Sequence, residues 1–281
     1  MKKRVPHACR VVSSPWPGVF GTDIDSARQY DRHWHTTYGF GLMEQGAHRS
    51  MSGRGIVDAH VGDVITTNPG EVHDGRPLGG PSRRWQMIYL DPAVMASMVG
   101  HAEASAVDVR LTRPVIQDTI LIPVLRQLLR RLERWSASRH PAPDAAPRCE
   151  EALVRSCGLL LRGHSTATAA VDARGDVAQV RERLADDLLG SPSLSELAAI
   201  VDLSRYQLLR RFERVYGMTP FEWQRQVRAE RARALIGTGS SLADAAVDCG
   251  FADQSHMTRA FVGHFGFTPG AWAAALRTSR A

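Results

Sequence analysis

Residues 247–269 read VDCGFADQSHMTRAFVGHFGFTP, and residues 201–220 read VDLSRYQLLRRFERVYGMTP. Set against each other, they are two copies of one pattern. Ser193-Leu194 falls on Ser241-Leu242, Leu203 on Phe251, Phe212 on Phe261, Gly217 on Gly266 and Thr219-Pro220 on Thr268-Pro269. Each copy begins with a short segment, SLSELAAIV or SLADAAVDC. Ser193 with Glu196 three residues on is a capping-box pattern, and Ser241 with Asp244 is a weaker version. A tight turn and a longer helical segment follow. Two helices joined this closely pack at a steep angle, which is the helix-turn-helix unit.

The longer helices separate into faces. In the first, Leu208, Phe212 and Val215 form an apolar stripe, and Tyr206, Leu209, Arg210 and Glu213 form the opposite one at i, i+3, i+4 and i+7. In the second, Met257, Phe261 and Phe265 are expected to point inward, with Ser255, His256 and Arg259 outward near the helix start. An outward stripe with arginine and hydrogen-bonding groups suits entry into a major groove of double-stranded DNA. The plainer alternative is a helical bundle whose outward charges are simply solvated. One such helix would favour that alternative; two copies with matched caps, turns and arginines weigh against it.

Between the copies lies FEWQRQVRAERARALIGTG, an amphipathic segment in which Phe221, Val227 and Leu235 can pack while Arg225, Arg228, Arg231 and Arg233 are spread around it. A rigid helix here would hold the two units at a fixed separation. Matching that separation to the ~34 Å DNA repeat would place both in adjacent major grooves.

Upstream the chain changes character twice. Residues 164–176, HSTATAAVDARGD, are small, polar and non-periodic, as in a flexible linker. Residues 111–163 are helical in period. Ile120, Val124, Leu125, Leu128, Leu129 and Leu132 recur at three- and four-residue spacing, and a breaker at 136–147 precedes CEEALVRSCGLLLRG. That apolar stripe is either core or a dimer contact. Residues 1–110 are short alternating segments such as YGFGLME and RWQMIYLD between turn residues, which suggests a β-sandwich or small barrel. The fold class expected is two-domain α+β, with the C-terminal all-α domain at 177–281.

Composition sets the outer limits. With 281 residues and 43% hydrophobic content, one large or two ordinary domains can each bury a core. The formal charge of +6, carried almost entirely by arginine, suits an anionic partner and forked contacts to phosphate or guanine. Cys9, Cys149, Cys157 and Cys249 are scattered without a C-x-x-C pair, as reduced thiols in a cytoplasmic protein are. MKKRVPHACRVV lacks the apolar run of a secretion signal, and TILIPVLRQLL is too short for a membrane span.

CGFADQSHMTRAFVGHFGFTPGAW resembles the signature of the AraC/XylS family of bacterial transcription regulators, and the resemblance covers about the last hundred residues. It implies base-reading roles for Tyr206, Leu209 and Arg210 in the first unit and for Ser255, His256 and Arg259 in the second. Leu209 departs from the polar residue often seen there, and would touch a thymine methyl or read nothing. The first half resembles the cupin-like sensing domain of many members, with Gly62-Asp63, Asn68-Pro69-Gly70-Glu71 and His73-Asp74 as its best match. That implies a small-molecule effector inside a β-barrel, a homodimer whose contact is the apolar stripe of a helical dimerisation and linker region at 111–163, and an activator with RNA polymerase among its partners.

His33 and His35 form an H-x-H, which on a strand shares one face, and His73 is placed at the same barrel mouth by the resemblance. A three-histidine metal site of the catalytic cupin kind is one reading. Such sites usually add a glutamate soon after the second histidine, and Thr36-Thr37-Tyr38-Gly39-Phe40 holds no acid. The expectation is therefore no metal, no cofactor and an organic effector facing the histidines. The candidate ligand-binding residues are His33, His35, Tyr38, Arg49, His73 and Trp85. Trp85 and Tyr89 would stack on something flat or belong to the core; Arg49 and Arg76 would meet a carboxylate or solvent. No Ser-His-Asp or Cys-His arrangement and no phosphate-binding glycine loop is readable, so no enzyme activity is expected. A metal-dependent cupin enzyme or metal sensor fused to a DNA-binding domain, and a β-domain that only dimerises, are the rival readings.

Overall fold

The computed structural model describes residues 6–52, 55–99, 109–167, 177–265 and 267–278. The chain divides into two compact units, residues 1–139 with 152–171 and residues 140–151 with 172–281.

The first unit is built of short strands. These are β1 (His7–Ser13), β2 (Val19–Ser26), β3 (Tyr30–His33), β4 (Tyr38–Gln45), β5 (Ala47–Ser52), β6 (Gly55–His60), β7 (Val64–Thr67), β8 (His73–Pro77), β9 (Arg83–Leu90) and β10 (Val115–Ile116), with helix α1 (Pro92–Val99) after β9. They form a six-stranded sheet, β1-β2-β9-β4-β7-β10, and a four-stranded sheet, β3-β8-β5-β6. All recorded pairings are antiparallel. In β9 alternate residues turn inward, so Trp85 and Met87 join Met43 of β4 and Ala59 of β6 in a core flanked by Ile24, Tyr30, Ile65, Tyr89 and Val115. That core draws on both sheets.

Three sequence expectations change here. First, the β-domain does not stop at residue 110. Val115 and Ile116 pair with β7, and the Asn68 side chain holds Leu111 from both sides, accepting from its N–H at 2.7 Å and donating to its carbonyl at 3.0 Å. Second, the apolar stripe of α2 (Leu121–Ala137) is core. Leu121, Leu125, Leu128, Leu129 and Leu132 are buried within the single chain, against β1 and β4, so they do not form an open dimer face. Glu133 on this helix accepts from Arg10 at 2.9 Å and Gln86 at 2.8 Å. Third, the expected linker at 164–176 is structured at its start. His164 Nε2 lies 2.8 Å from Asp118, and Ser165 bridges Leu111. Residues 168–176 of that segment lie outside the described residues.

The second unit is helical: α4 (Ala178–Asp186), α5 (Leu194–Ile200), α6 (Arg205–Tyr216), α7 (Pro220–Thr238), α8 (Leu242–Asp248), α9 (Gln254–Phe265) and α10 (Pro269–Thr278). Ser193, Ser204 and Thr219 each close a complete capping box, with Glu196, Gln207 and Glu222 as the reciprocal partners. Pro220 opens α7, where its missing N–H costs nothing. The buried face of α7 is Phe221, Gln224, Arg228, Ala229, Ala232 and Ile236, so Arg228 is not the surface charge the sequence suggests. Its guanidinium donates to Gly250 O at 3.1 Å and Gly190 O at 2.8 Å, tying two turns to the central helix.

Residues 140–151 belong to this unit, not to a contiguous helical region at 111–163. Helix α3 (Ala145–His164) starts inside the expected breaker, with Pro147 tolerated in its first turn. Two buried carboxylates on its first turns cap other helices. Glu150 accepts from Leu194 N–H at 3.2 Å, and Glu151 from Phe221 N–H at 3.0 Å. Each neutralises a helix N-terminus whose donors would otherwise be orphaned.

Candidate nucleic-acid interface and sensing cavity

In the helical unit, each copy of the repeat turns through one left-handed residue. These are Asp202 at φ 51° in the first copy and Gly250 at φ 72° in the second. The two positions correspond, each preceding the buried Leu203 or Phe251. After the turn comes the helix cap: Ser204 for α6, and Asp253 for α9, whose carboxylate accepts from His256 N–H at 2.6 Å. Counting on from the caps, Tyr206 matches Ser255, Gln207 matches His256, and Arg210 matches Arg259.

The predicted readers divide on this frame. Tyr206 and Arg210 are half-buried on α6, while Ser255 and Arg259 are exposed on α9. Leu209 is 4% exposed and belongs to the core with Leu208 and Phe212. Beside Leu208 and four residues before the half-buried Glu213, it widens the buried stripe and is not available to a base. Val215, expected inside, is 59% exposed on the last turn of α6, just before the Gly217 cap.

His256 is the larger correction. It is 7% exposed and stands edge-on to Phe251, with ring centroids 5.3 Å apart. Its Nδ1 accepts from the N–H of Ala252, the residue before the Asp253 cap, at 3.4 Å, whereas Gln207 at the matching position of the first copy accepts from the N–H of the cap Ser204 itself. Its Nε2 lies 3.4 Å from Asp144, which also stands 3.8 Å from Arg225. Burial alone would raise the Asp144 pKa; the His256 hydrogen bond and charge, with Arg148 and Arg225, outweigh it and hold it at about 2. The signal for this role was readable: three residues after a capping aspartate is a structural position before it is a reading position. Beside this contact, a hollow of about 410 Å³ is lined by Arg148, Arg225, His264 and Arg259 as well as Asp144 and His256.

In the β-unit, a cavity of about 200 Å³ lies between the two sheets. Among its lining residues are His33, His35, His73 and Trp85, together with Tyr30, His48, Thr67, Met87 and Tyr89, which the sequence reading left out or left open. His33 ends β3, but His35 lies two residues beyond the strand, so the pair does not share a strand face as expected. His35 nevertheless lines the same cavity from the loop after β3. The ring centroids are 4.4 Å apart for His33–His73, 5.0 Å for His33–His35 and 5.3 Å for His35–His73. Burial and the neighbouring imidazoles lower the pKa of His35, and burial lowers that of His73.

Tyr38 and Arg49 do not line this cavity. Tyr38 is buried and donates its hydroxyl to the Val109 carbonyl. Arg49 faces Asp58 across β5 and β6 in a two-pronged pair at 2.7 and 2.6 Å. An arginine the reading missed sits behind the cavity wall. Arg83, 1% exposed, lies 4.8 Å over the Trp85 ring and donates to His48 Nδ1 at 2.6 Å. Burial first, and then Arg83, hold the His48 pKa down to about 4, which keeps that nitrogen an acceptor.

Comparison with known proteins follows the same division. A family described as AraC-like ligand binding domain matches residues 17–146, and one described as helix-turn-helix domain matches residues 197–275. Among relatives, the chain is 26% identical to the uncharacterised HTH-type transcriptional regulator YbfI of Bacillus subtilis, over 82% of each chain. It is 29% identical to the HTH-type transcriptional activator RhaS of Klebsiella pneumoniae over 52% of this chain, about half (53%) of that protein. Among solved structures, the DNA-binding domain of AdpA, in complex with a target DNA, is 30% identical, with a TM-score of 0.35 over 37% of this chain and 95% of that one.

Proposed function

We propose that this AraC-family transcriptional regulator, in which an AraC-like ligand-binding domain precedes an AraC-type helix-turn-helix domain, is an effector-responsive activator that reads DNA with α6 and α9. The observation that carries the reading is the repeat itself: Arg210 and Arg259 occupy the same position in two helices whose turns, caps and buried phenylalanines correspond. Arginine there suits bidentate recognition of guanine in adjacent major grooves. Tyr206 and Ser255 supply further contacts beside them. Leu209 and His256 are left out of the readers because both are buried.

The sign of regulation follows RhaS, which is named an activator. RNA polymerase would then be a partner, the protein would act in the cytoplasm, and the operator would be met by a homodimer. Among the described residues no helix is long and apolar enough to cross a membrane. The effector would occupy the cavity of His33, His35, His73 and Trp85. It acts by binding one arrangement of the protein better than another.

Arg210→Ala and Arg259→Ala should each weaken specific operator binding by about 1–3 kcal/mol, with a much smaller effect on non-specific DNA. Fluorescence titration against an operator and a scrambled duplex checks this. Unchanged specific affinity in both variants would remove the two-helix reading.

A further inference from the structure

The three histidines of the cavity are held in a way that an organic pocket does not require. His33 Nδ1 lies 2.7 Å from the carbonyl of Asp31, and His73 Nδ1 lies 2.9 Å from the carbonyl of Glu71. A carbonyl only accepts, so each Nδ1 carries the proton. Each Nε2 is therefore left with a lone pair. The same device appears twice, each time from the residue two places earlier in the chain. Backbone carbonyls on the far nitrogen are what orient imidazoles toward a metal and raise their basicity.

One ring nitrogen from each of His33, His35 and His73 lies within 4.8 Å of the other two. An ion at about 2.0–2.1 Å from each imidazole needs those nitrogens roughly 3.4 Å apart. Side-chain rotations of about an ångström close the difference. All three histidines are half-buried along the cavity wall. The Thr67 hydroxyl that lines the same cavity is buried without a partner.

We propose that His33, His35 and His73 bind a divalent first-row transition-metal ion, with His33 and His73 ligating through Nε2. The glutamate missing after His35 does not stand against this. Three histidines with one open position form a complete zinc site of the kind that keeps a place for water or a small ligand. Of the two acids that line the cavity, Glu71 accepts from the Asn68 amide at 2.8 Å and Asp74 accepts from the Met51 N–H at 2.7 Å. Imidazole donors suit zinc, iron, nickel and copper over magnesium or calcium. With about 200 Å³ of cavity around it, the open position admits a small organic ligand at most, framed by Trp85, Tyr89 and Met87. The ion thus deepens the effector reading and, for its regulatory consequence alone, rests on it.

The test uses the untagged full chain, stripped with chelator, dialysed and titrated with zinc chloride. Calorimetry and elemental analysis should give one tightly held ion per chain, with a raised Tm. His35→Ala and His73→Ala should each lower zinc affinity by more than about tenfold, the scale reached when even an outer partner is lost. His60→Ala, at an exposed position, should keep the site. Melting of each metal-free variant shows whether it is folded, and cobalt(II) absorption reports the geometry independently of stability. Absence of a stoichiometric site in the folded wild type, or unchanged affinity in both cavity variants, overturns the metal assignment. Operator binding is measured alongside. A DNA response to an organic compound that is lost in His35→Ala, without any metal site, would overturn the ion but keep the effector cavity. A metal site whose filling leaves operator affinity unchanged with every ligand tried would support the ion and remove the effector reading.

Discussion

The two helix-turn-helix units share a pattern but solve the same local problems with different chemistry. The first turn is made by Asp202 in the left-handed region, the second by Gly250. Helix α6 is closed by a reciprocal box of Ser204 and Gln207; α9 has Asp253 and, in place of the glutamine, a buried histidine. That histidine is held from outside the repeat by Asp144, a residue some hundred positions earlier. The first unit receives its outside help at α5, where Glu150 caps Leu194 and approaches Arg205 at 3.5 Å. Duplication thus preserved the geometry of turn and core, while each copy acquired its own partners from residues 140–151.

If the cores are equivalent, removing either should cost alike. Phe212 and Phe261 are both fully buried, and Phe212→Ala and Phe261→Ala should each lose about 3–5 kcal/mol of the helical unit's stability. Urea unfolding followed by far-UV circular dichroism checks this. A difference of more than half between them would show that one copy carries the stability of the other.

The turns should respond in opposite directions. A Cβ on Gly250 would stand 2.3 Å from the Leu188 carbonyl, in a backbone region that already disfavours side chains. Gly250→Asp should therefore cost about 2–3 kcal/mol. The reverse change, Asp202→Gly, relieves a left-handed non-glycine residue and should be neutral or stabilise by up to ~1 kcal/mol. The same unfolding experiment reads both. A stable Gly250→Asp protein would mean that the second turn is looser than its packing indicates.

The smallest difference is electrostatic. Asp144 is held at about 2, below its unfolded value, so its contacts stabilise the native state above about pH 4. That contribution is lost as the pH falls through the folded value. It should amount to about 1–2 kcal/mol between pH 5 and pH 2, and Asp144→Asn should flatten that part of the stability profile. An unchanged profile would place the acid sensitivity elsewhere and remove the pairing with His256 as an energetic link.

Much of this was legible because it is local. The caps at Ser193, Ser204 and Thr219, the left-handed glycine ending α6, and the 3.6-residue stripe through Leu208 and Phe212 depend on residues within a turn or two of each other. So does the alternation of β9, which turns Trp85 inward. The errors arise where a face is decided by a distant segment. His256 reads as outward on a helical wheel, yet Phe251 and Asp144 cover it. Leu209 reads as the edge of an outward stripe, yet the bundle around α6 is wide enough to bury it. The α2 stripe reads equally well as interface or core until strands β1 and β4 are found beneath it.

By itself the sequence determined the order of the domains, the duplicated unit and the residue types at its turns, because short-range spacing fixes hydrogen bonds and helix faces. It also brought three histidines into consideration together. Only the tertiary structure decided that Arg49 is spent on Asp58, that His35 reaches the cavity from the loop beyond its strand, and that residues 140–151 pack with the second unit. Those outcomes turn on which apolar surface or charge a distant segment covers. Covering is a property of the closed fold, set by burial and pairing between residues that sequence spacing leaves unrelated.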